Sequence, residues 1–303
     1  MNSIDRLIGL AGVRGSLDLR CQLQGDWALP HGQQHTGIAP YHIVLAGECQ
    51  VELPDGHTVR LGAGDILVFP GDATHLLRSE GQRVAPVAAQ VSTGGLLPLH
   101  RIGREGPALD LLCGRFHYQR ESMLFAALPQ YLVVSSRDLP ANDQLTALVG
   151  LLRVEADGDQ PGARFLVDAL SSALFTLVLR VYLQQQAQAS GTLALLADKR
   201  LSRAWQGMLE DPAREWSIDS LAALASMSRS TFMRAFVKVA GESPWVLLTR
   251  VRMELAYGLL GNSHLGLSDI AQQVGYQSQA AFSKKFKEVY GQAPGQVRKA
   301  GGR

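Results

Sequence analysis

An internal repeat in the last third of the chain is the feature that most constrains its fold. Four apolar or turn-forming positions recur at a fixed interval of 50 residues: Phe232 and Phe282, Phe236 and Phe286, Gly241 and Gly291, and Pro244 and Pro294. Such self-similarity indicates a supersecondary unit that occurs twice. Each copy has the periodicity of a helix, a short turn and a second helix. In the first copy Ser228 is placed to cap the second helix, and in the second copy Gly275 is placed in the turn. The pattern predicts two helix-turn-helix units in an all-α domain.

The polar face of the second helix in each unit indicates what the domain binds. Hydroxyl, amide and cationic side chains stand opposite the apolar stripes: Ser228, Arg229, Ser230, Thr231 and Arg234 in the first unit, and Gln277, Ser278, Gln279, Ser283, Lys284 and Lys287 in the second. These groups hydrogen-bond base edges and phosphates. We therefore expect these residues to contact double-stranded DNA.

A long helix is predicted between the two units. Ser243 is placed to cap it and Pro244 to begin it, and its apolar face continues to roughly Leu260. At 1.5 Å per residue it spans about 25 Å. Such a strut would hold two recognition helices about one DNA turn apart, so that both enter successive major grooves.

The distribution of charge separates two domains. The net charge of +2 combines a basic segment from Lys199 onward, with 15 Lys and Arg against 8 Asp and Glu, and an acidic preceding segment, with 14 against 19. A basic segment of this kind favours a polyanionic partner. At 303 residues the chain is long enough for two cores.

The C-terminal pattern resembles the DNA-binding domain of AraC/XylS-type transcription regulators. The resemblance rests on these residues: Ser220, Leu221, Ala222, Met227, Ser228, Arg229, Phe232, Arg234, Ala235, Phe236, Gly241, Ser243, Pro244, Arg250, Arg252, Ala256, Ile270, Ala271, Val274, Gly275, Tyr276, Phe282, Phe286, Gly291 and Pro294. It covers about a third of the chain. It implies a sequence-specific DNA-binding regulator, an activator, with promoter DNA and RNA polymerase as partners.

The N-terminal part has the rhythm of a β-sandwich or small barrel. From Leu17 apolar and polar residues alternate, and short strand-like runs separated by Gly, Pro and Asp follow to about residue 118. Residues 61–75 resemble the second conserved motif of cupin jelly rolls: Gly64, Pro70 and His75 fit it, while Asp72 replaces a glycine. The resemblance implies an all-β cupin-like barrel at about 17–118.

Helical periodicity follows the barrel. It covers about 143–187, and the long apolar segment Ala163 to Gln186 is of the kind that packs on a partner chain, so we expect a homodimer. Its alternative is packing on its own barrel. The polar run Gln184 to Gly191 indicates a linker. The predicted domains are therefore 1–190, for sensing and dimerisation, and 192–303, for DNA binding.

The histidines do not reproduce a complete cupin metal site. The first cupin motif is largely missing, because the spacing of His31, His35 and His42 does not match it and Pro40 stands where a glutamate would fall. We therefore expect no metal, no other cofactor and no enzyme activity, and we expect His42 and His75 to line a ligand pocket or to form internal hydrogen bonds. A cupin metalloenzyme with an accessory DNA-binding tail is the alternative.

Three cysteines without a CxxC pair argue against a disulfide framework or zinc finger. Cys49 alternates with polar neighbours and is expected in the core. The arrangement around Cys21 and Cys113 is similar to that of AraC-type activators that respond to reactive chlorine species, and the resemblance implies that these two cysteines oxidise. Arg115 is then placed to favour a thiolate at Cys113. Ordinary buried thiols, in a regulator that senses a non-redox small ligand, are the alternative.

The sequence also favours a cytoplasmic protein. No continuous apolar run reaches the roughly 18 residues that a membrane span requires, and residues 1–19 lack the pattern of a secretory signal. We expect no membrane contact. With DNA as the partner, the predicted compartment is the bacterial cytoplasm.

Overall fold

The structure is a computed structural model, and it describes residues 2–32, 35–53, 55–71, 73–80, 88–103, 108–136, 143–185 and 191–301. Asp72 and residues 186–190 of the predicted linker lie outside these ranges. The chain divides into two compact units. The sheet unit contains Val13–Tyr118 and Leu128–Gln186, and the helical unit contains Met1–Gly12, Gln119–Ala127 and Ala187–Arg303.

The sheet unit contains two sheets, which confirms the predicted cupin-like β architecture. The strands are β1 (Arg14–Leu23), β2 (Ala28–His31), β3 (Ile38–Ala46), β4 (Glu48–Glu52), β5 (Thr58–Gly62), β6 (Asp65–Val68), β7 (His75–Arg78), β8 (Gln90–Ser92), β9 (Leu99–Ile102), β10 (Leu109–His117) and β11 (Leu132–Ser135). One sheet has the order β11-β6-β3-β10-β1-β9-β8, and the other has the order β2-β7-β4-β5.

The core of the sheet unit follows from the strand patterns. The alternating pattern of β1 buries Leu17, Cys21 and Leu23, as the sequence predicts. Strands β3 and β10 pair along their whole lengths in the middle of the larger sheet and are buried at most positions. Their near-continuous apolar runs are typical of strands that are covered on both faces.

Two helices complete the sheet unit, α3 (Asp143–Asp157) and α4 (Ala163–Gln185). Helix α4 packs against β1 and α3, and it buries Val167, Leu174 and Val178. By length and composition alone, α4 is long and apolar enough to cross a membrane, with a mean hydropathy of 1.7. Polar residues interrupt the helix, so it does not form the continuous apolar run whose absence the sequence analysis noted. Packing on the sheet accounts for part of its apolar character.

The helical unit contains both predicted helix-turn-helix units. Its helices are α1 (Ser3–Ala11), α2 (Met123–Ala126), α5 (Gly191–Ala197), α6 (Leu201–Glu210), α7 (Ile218–Leu224), α8 (Arg229–Ala240), α9 (Pro244–Asn262), α10 (Leu267–Gln273), α11 (Gln279–Tyr290) and α12 (Pro294–Gly301). The first helix-turn-helix unit is α7 and α8, and the second is α10 and α11. Their apolar stripes form the core, where Phe232, Phe236, Phe282 and Phe286 are fully buried.

Two segments from the first 190 residues, Met1–Gly12 and Gln119–Ala127, belong to the helical unit, although the sequence predicts a continuous first domain over residues 1–190. Helix α1 packs against α2, α6 and α9 and buries Leu7, Leu10 and Ala11. The Gln119 amide donates a hydrogen bond to the Ala11 carbonyl at 2.8 Å, which joins the two segments. Burial of the apolar side of α1 therefore groups residues 2–12 with the helical unit.

Candidate nucleic-acid interface and a buried cysteine and histidine cluster

Helix α8 presents the first predicted DNA-reading face. Ser228 caps the helix, since its hydroxyl accepts a hydrogen bond from the Thr231 amide at 3.3 Å and donates one to the Thr231 hydroxyl at 2.9 Å. Ser228 and Thr231 are exposed, as are Arg229, Ser230 and Arg234. The Arg229 guanidinium lies 3.8 Å from the Asp219 carboxylate, and both side chains are largely exposed. Phe232 and Phe236 face the core on the other side.

Helix α11 presents the second face. Ser278 caps it by accepting from the Ala281 amide at 3.2 Å. The predicted residues on this face are exposed or, for Ser283, half-buried: Gln277, Ser278, Gln279, Ser283, Lys284 and Lys287. Gln277 donates a hydrogen bond to Glu215 at 3.2 Å.

Helix α9 is the predicted strut. Ser243 caps it, Pro244 occupies its first turn, and it continues to Asn262. Its 19 residues span about 28 Å at 1.5 Å each. Leu247, Val251 and Leu260 are buried within the helical unit, so the helix is fixed by packing rather than free in solvent.

The strand register assembles a second candidate site inside the sheet unit. Antiparallel pairing places His42 of β3 opposite Cys113 of β10, and it places His31 of β2 opposite His75 of β7. The two pairs belong to different sheets and meet between them, where His42 Nε2 lies 2.8 Å from His75 Nε2. With Cys21, these residues form what we call the cysteine and histidine cluster.

Hydrogen bonds in the cluster fix the tautomers of its imidazoles. His75 Nδ1 lies 3.1 Å from the Ala73 carbonyl oxygen, which only accepts, so Nδ1 carries the proton of the neutral ring and Nε2 accepts. His42 Nε2 must then donate to His75. The remaining nitrogen, His42 Nδ1, lies 3.1 Å from Cys113 Sγ and accepts from the thiol. A chain of hydrogen bonds between neutral groups therefore runs from the Cys113 thiol through His42 and His75 to the Ala73 carbonyl.

Burial keeps the cluster neutral. Desolvation, reinforced by the neighbouring His31 and His75 rings, holds the pKa of His42 well below its usual value. Desolvation also lowers the pKa of His75 to about 3, and it lowers that of His31. The pKa of the Cys113 thiol is raised well above its usual value, first by its hydrogen bond with Cys21 and then by burial. At neutral pH the thiol of Cys113 therefore stays protonated.

Cys21 lies diagonally across from Cys113 on neighbouring strands. Cys21 pairs with Leu111, while Cys113 pairs with Leu19, so the two cysteines are offset by two residues in the β1 and β10 ladder. Diagonal neighbours of this kind have Cα atoms roughly 7 to 8 Å apart. The thiols are near enough to hydrogen-bond. The structure thus brings together the two cysteines that the sequence singled out.

Arg115 does not favour a thiolate at Cys113 as the sequence led us to expect. Its Nε donates to the Asp18 carboxylate at 2.7 Å, so the guanidinium is engaged in an ion pair. The Asp18 charge itself raises the pKa of Cys113. The expectation failed because a residue two positions along the strand was considered without its cross-strand partner.

Cys49 is a core residue, as predicted. It lies opposite Leu61 and packs among apolar side chains, and burial raises its pKa to about 12. His31, by contrast, was not predicted as a site residue. Its position becomes visible only from the pairing of β2 with β7, since its spacing from His42 and His75 carries no motif. A prediction that β2 pairs with β7 in this register would have placed His31 opposite His75.

Two helix-turn-helix units joined by a helical strut, together with a cupin-like sheet unit, define the class of DNA-binding transcriptional regulators with an attached sensor domain. A family model described as Cupin matches residues 3–184, and one described as Helix-turn-helix domain matches residues 221–300. The chain belongs to the AraC-type family of transcriptional regulators with an N-terminal cupin domain.

Three proteins named as transcriptional regulators match this chain over nearly its whole length. The chain is 38% identical to an "Uncharacterized HTH-type transcriptional regulator" of Haemophilus influenzae, over 99% of both chains. It is 34% identical to "HTH-type transcriptional regulator MtrA" of Neisseria gonorrhoeae, over 100% of this chain and 99% of that protein. It is 28% identical to "RCS-specific HTH-type transcriptional activator RclR" of Escherichia coli, over 98% of this chain and 97% of that protein.

Proposed function

We propose that this chain is a transcription activator that responds to oxidation of Cys21 and Cys113 by reactive chlorine or a related oxidant. The observation that carries the proposal is the contact between Cys113 Sγ and His42 Nδ1 at 3.1 Å, next to a second thiol on the neighbouring strand. The name of the Escherichia coli relative, which specifies RCS, supports the class of signal.

The proposed reaction uses both thiols. Cys113 gives up its proton to His42 as its sulfur attacks the chlorine of hypochlorous acid, and His42 passes that proton to the departing hydroxide, so that a sulfenyl chloride and water are formed. The Cys21 sulfur then displaces chloride and loses its proton, which gives a disulfide, chloride and a proton. Overall, two thiols are oxidised by two electrons and one hypochlorous acid is reduced to chloride and water. Because His42 returns the proton within the same step, the reaction requires neither a resident thiolate nor a lasting imidazolium.

Formation of the bond is proposed to change the sheet unit. A disulfide requires Cα atoms within about 7 Å, and diagonal strand neighbours lie at or beyond that limit. Strands β1 and β10 must therefore approach or twist as the bond forms. Such a change in two central strands is the proposed input to DNA binding or activation.

Transcription in cells tests the proposal. A reporter driven by the regulated promoter is followed with and without hypochlorous acid, in cells that carry wild-type protein, Cys21→Ala, Cys113→Ala or Cys49→Ala. We expect induction to be lost in the first two variants and kept in the third, which is an equally buried thiol outside the cluster. Full induction in both Cys21→Ala and Cys113→Ala would exclude the redox mechanism and favour a ligand that contacts His42 or His75.

We also propose that the DNA-reading faces of α8 and α11 bind promoter DNA from a homodimer in the cytoplasm, with RNA polymerase as the activated partner. Exposed apolar side chains on α3 and α4 support the dimer: Leu151, Val154, Phe165 and Leu166. Phe165 is 81% exposed and Val154 is 66% exposed. Apolar surface of this kind marks protein interaction sites.

A further inference from the structure

We propose that His31, His42 and Cys113 form a binding site for a single cuprous ion, Cu(I). One ligand atom from each residue lies within 4.8 Å of the other two. The three residues come from β2, β3 and β10, so both sheets contribute. These are not the ligands of a cupin motif, because His75, which occupies the motif position, serves here as a partner of His42. The sequence led us to expect no metal, since it carries no recognisable first motif.

The donor atoms are already selected by hydrogen bonds. His31 Nδ1 lies 3.2 Å from the Leu29 carbonyl, to which it donates, so its Nε2 carries the lone pair that can bind a metal. His42 donates through Nε2 to His75, so its metal-binding atom is Nδ1, which already lies 3.1 Å from Cys113 Sγ. Metal-bound histidines almost always donate their other N–H in this way, which fixes the tautomer and the ring orientation.

Ring packing holds the imidazoles in place. His31 and His75 stack with centroids 4.6 Å apart, and His75 stacks on Phe69 at 4.0 Å. His31 and His42 meet edge to face at 4.7 Å. The rings are therefore held by contacts on several sides, and the site needs little ordering before a metal enters. Preorganisation of this kind reduces the entropic cost of binding.

Ligand type and charge favour Cu(I). Thiolate and imidazole together suit Cu(I) and Zn(II), whereas hard cations prefer carboxylate and carbonyl oxygens. One thiolate neutralises Cu(I) completely, while Zn(II) with the same three ligands keeps a net positive charge. Cys113 lies in the apolar core, where an uncompensated charge is costly. The neutral complex with the monovalent ion is therefore the better match.

Binding requires only local movement. Metal bonds of about 2.0 Å to nitrogen and about 2.3 Å to sulfur place ligand atoms roughly 3.5 Å apart. The ligand atoms of His31, His42 and Cys113 lie at most 4.8 Å apart, so the widest pair of them must close by about 1 Å. The metal replaces the thiol proton of Cys113, which leaves to solvent. The metal site stands independently of the proposed redox function, because binding is measured on the reduced protein without DNA.

A competition titration tests the site. Reduced full-length protein is titrated anaerobically with Cu(I) in the presence of a coloured Cu(I) chelator, and a parallel series uses Zn(II). We expect one Cu(I) per chain, affinity at least about tenfold lower in His31→Asn and Cys113→Ser, and unchanged affinity in Cys49→Ala. X-ray absorption of the wild-type complex should give two nitrogen ligands and one sulfur ligand. Circular dichroism of each variant checks that it folds.

His75 is a positioning residue, and a pair of variants separates that role from a structural one. His75→Gln keeps an acceptor for His42 Nε2–H, whereas His75→Leu does not. We expect a loss of Cu(I) affinity of about 10 to 100-fold in His75→Leu, restored in part by His75→Gln, with the same nitrogen and sulfur coordination. Failure of wild-type protein to retain Cu(I) against the chelator would overturn the proposal. So would retention that is unaffected by His31→Asn and Cys113→Ser, or selective binding of Zn(II).

Discussion

At Cys113, the partners of one sulfur atom determine what the residue can do. The thiol contacts His42 Nδ1 and Cys21, and its raised pKa keeps it protonated at rest. A protonated thiol is a weak nucleophile, so Cys113 reacts slowly at rest. His42 can accept its proton when an electrophilic oxidant arrives. The same sulfur is the anionic ligand of the proposed copper site. Both proposed roles therefore depend on the cross-strand pair of Cys113 and His42 rather than on Arg115.

Residues on the predicted DNA-reading faces of α8 and α11 give the first prediction. Arg234→Ala and Gln279→Ala should each weaken binding to the operator without unfolding the protein, because both side chains are exposed opposite buried phenylalanines. A lost base contact costs roughly 1 to 3 kcal/mol, and a lost phosphate contact mainly reduces the salt dependence. Fluorescence anisotropy with operator DNA at several salt concentrations measures both effects.

The matched control is Lys199→Ala, which removes the same charge as Arg234→Ala at an exposed position outside the helix-turn-helix units. Its effect on Kd should be small. If Arg234→Ala and Gln279→Ala bind the operator as tightly as Lys199→Ala at every salt concentration, these faces do not read DNA.

At the scale of elements, each helix-turn-helix turn depends on one residue with a left-handed backbone. Ser226 has φ of 53° in the first turn, and Gly275 has φ of 83° in the second. A Cβ on Gly275 would lie 2.8 Å from the Ala213 carbonyl oxygen. Gly275 is therefore required both for its backbone conformation and for close packing.

Gly275→Ala should destabilise the helical unit more than Gly291→Ala. Gly291 also has a positive φ, of 70°, but its added Cβ would meet no atom within 4 Å, so this variant measures backbone strain alone. We expect Gly291→Ala to cost about 1 to 2 kcal/mol and Gly275→Ala at least about 1 kcal/mol more. Urea unfolding followed by circular dichroism provides both values, and equal costs would contradict the packing argument.

Glu254 in α9 makes stability depend on pH. Burial raises its pKa to about 8, although the Met123 amide, which donates to it at 2.5 Å, and the Arg250 charge both oppose the shift. Tyr290, whose own pKa is raised mainly by burial and further by the Glu254 charge, also faces it. The folded state thus holds a proton that the unfolded state releases above about pH 4.5. The contribution of Glu254 to the free energy of unfolding is fully present below about pH 4.5 and is lost as pH rises toward about 8.

Glu254→Gln should flatten this profile, because the amide still accepts from Met123 but does not titrate. The wild-type free energy of unfolding should decrease by up to about 1.4 kcal/mol per pH unit between pH 5 and 8 from this group. Urea unfolding at pH 5, 6, 7 and 8 compares the two proteins. Identical slopes would show that Glu254 is charged in the folded state.

Local patterns explain which elements the sequence predicted. The caps at Ser228, Ser243 and Ser278 and the apolar stripes of α8 and α11 are encoded within a few residues, so periodicity found them. The partners of His31 and the grouping of α1 with the helical unit depend on contacts between distant segments. Spacing alone carries no information on such contacts, because the same residues can pair in many registers.

At the scale of the whole molecule, the exposed apolar face of α3 and α4 gives a prediction about assembly. Phe165→Lys and Val154→Lys should convert a dimer into a monomer, because each places a charge in the proposed interface. Val91→Lys is the control, since Val91 is an exposed valine on β8 of the same unit. Sedimentation velocity of full-length protein at micromolar concentration measures the mass. A wild-type monomer, or a Phe165→Lys dimer, would contradict the proposed interface.

The most direct test of the redox account is in vitro transcription from the regulated promoter with purified protein before and after one equivalent of hypochlorous acid. We expect oxidation to raise transcription and to form a disulfide between Cys21 and Cys113, seen in peptide mass spectra as the loss of two hydrogens. We expect neither change in Cys113→Ser and both changes in Cys49→Ala. An oxidant response in Cys113→Ser equal to that of the wild type would contradict the redox mechanism.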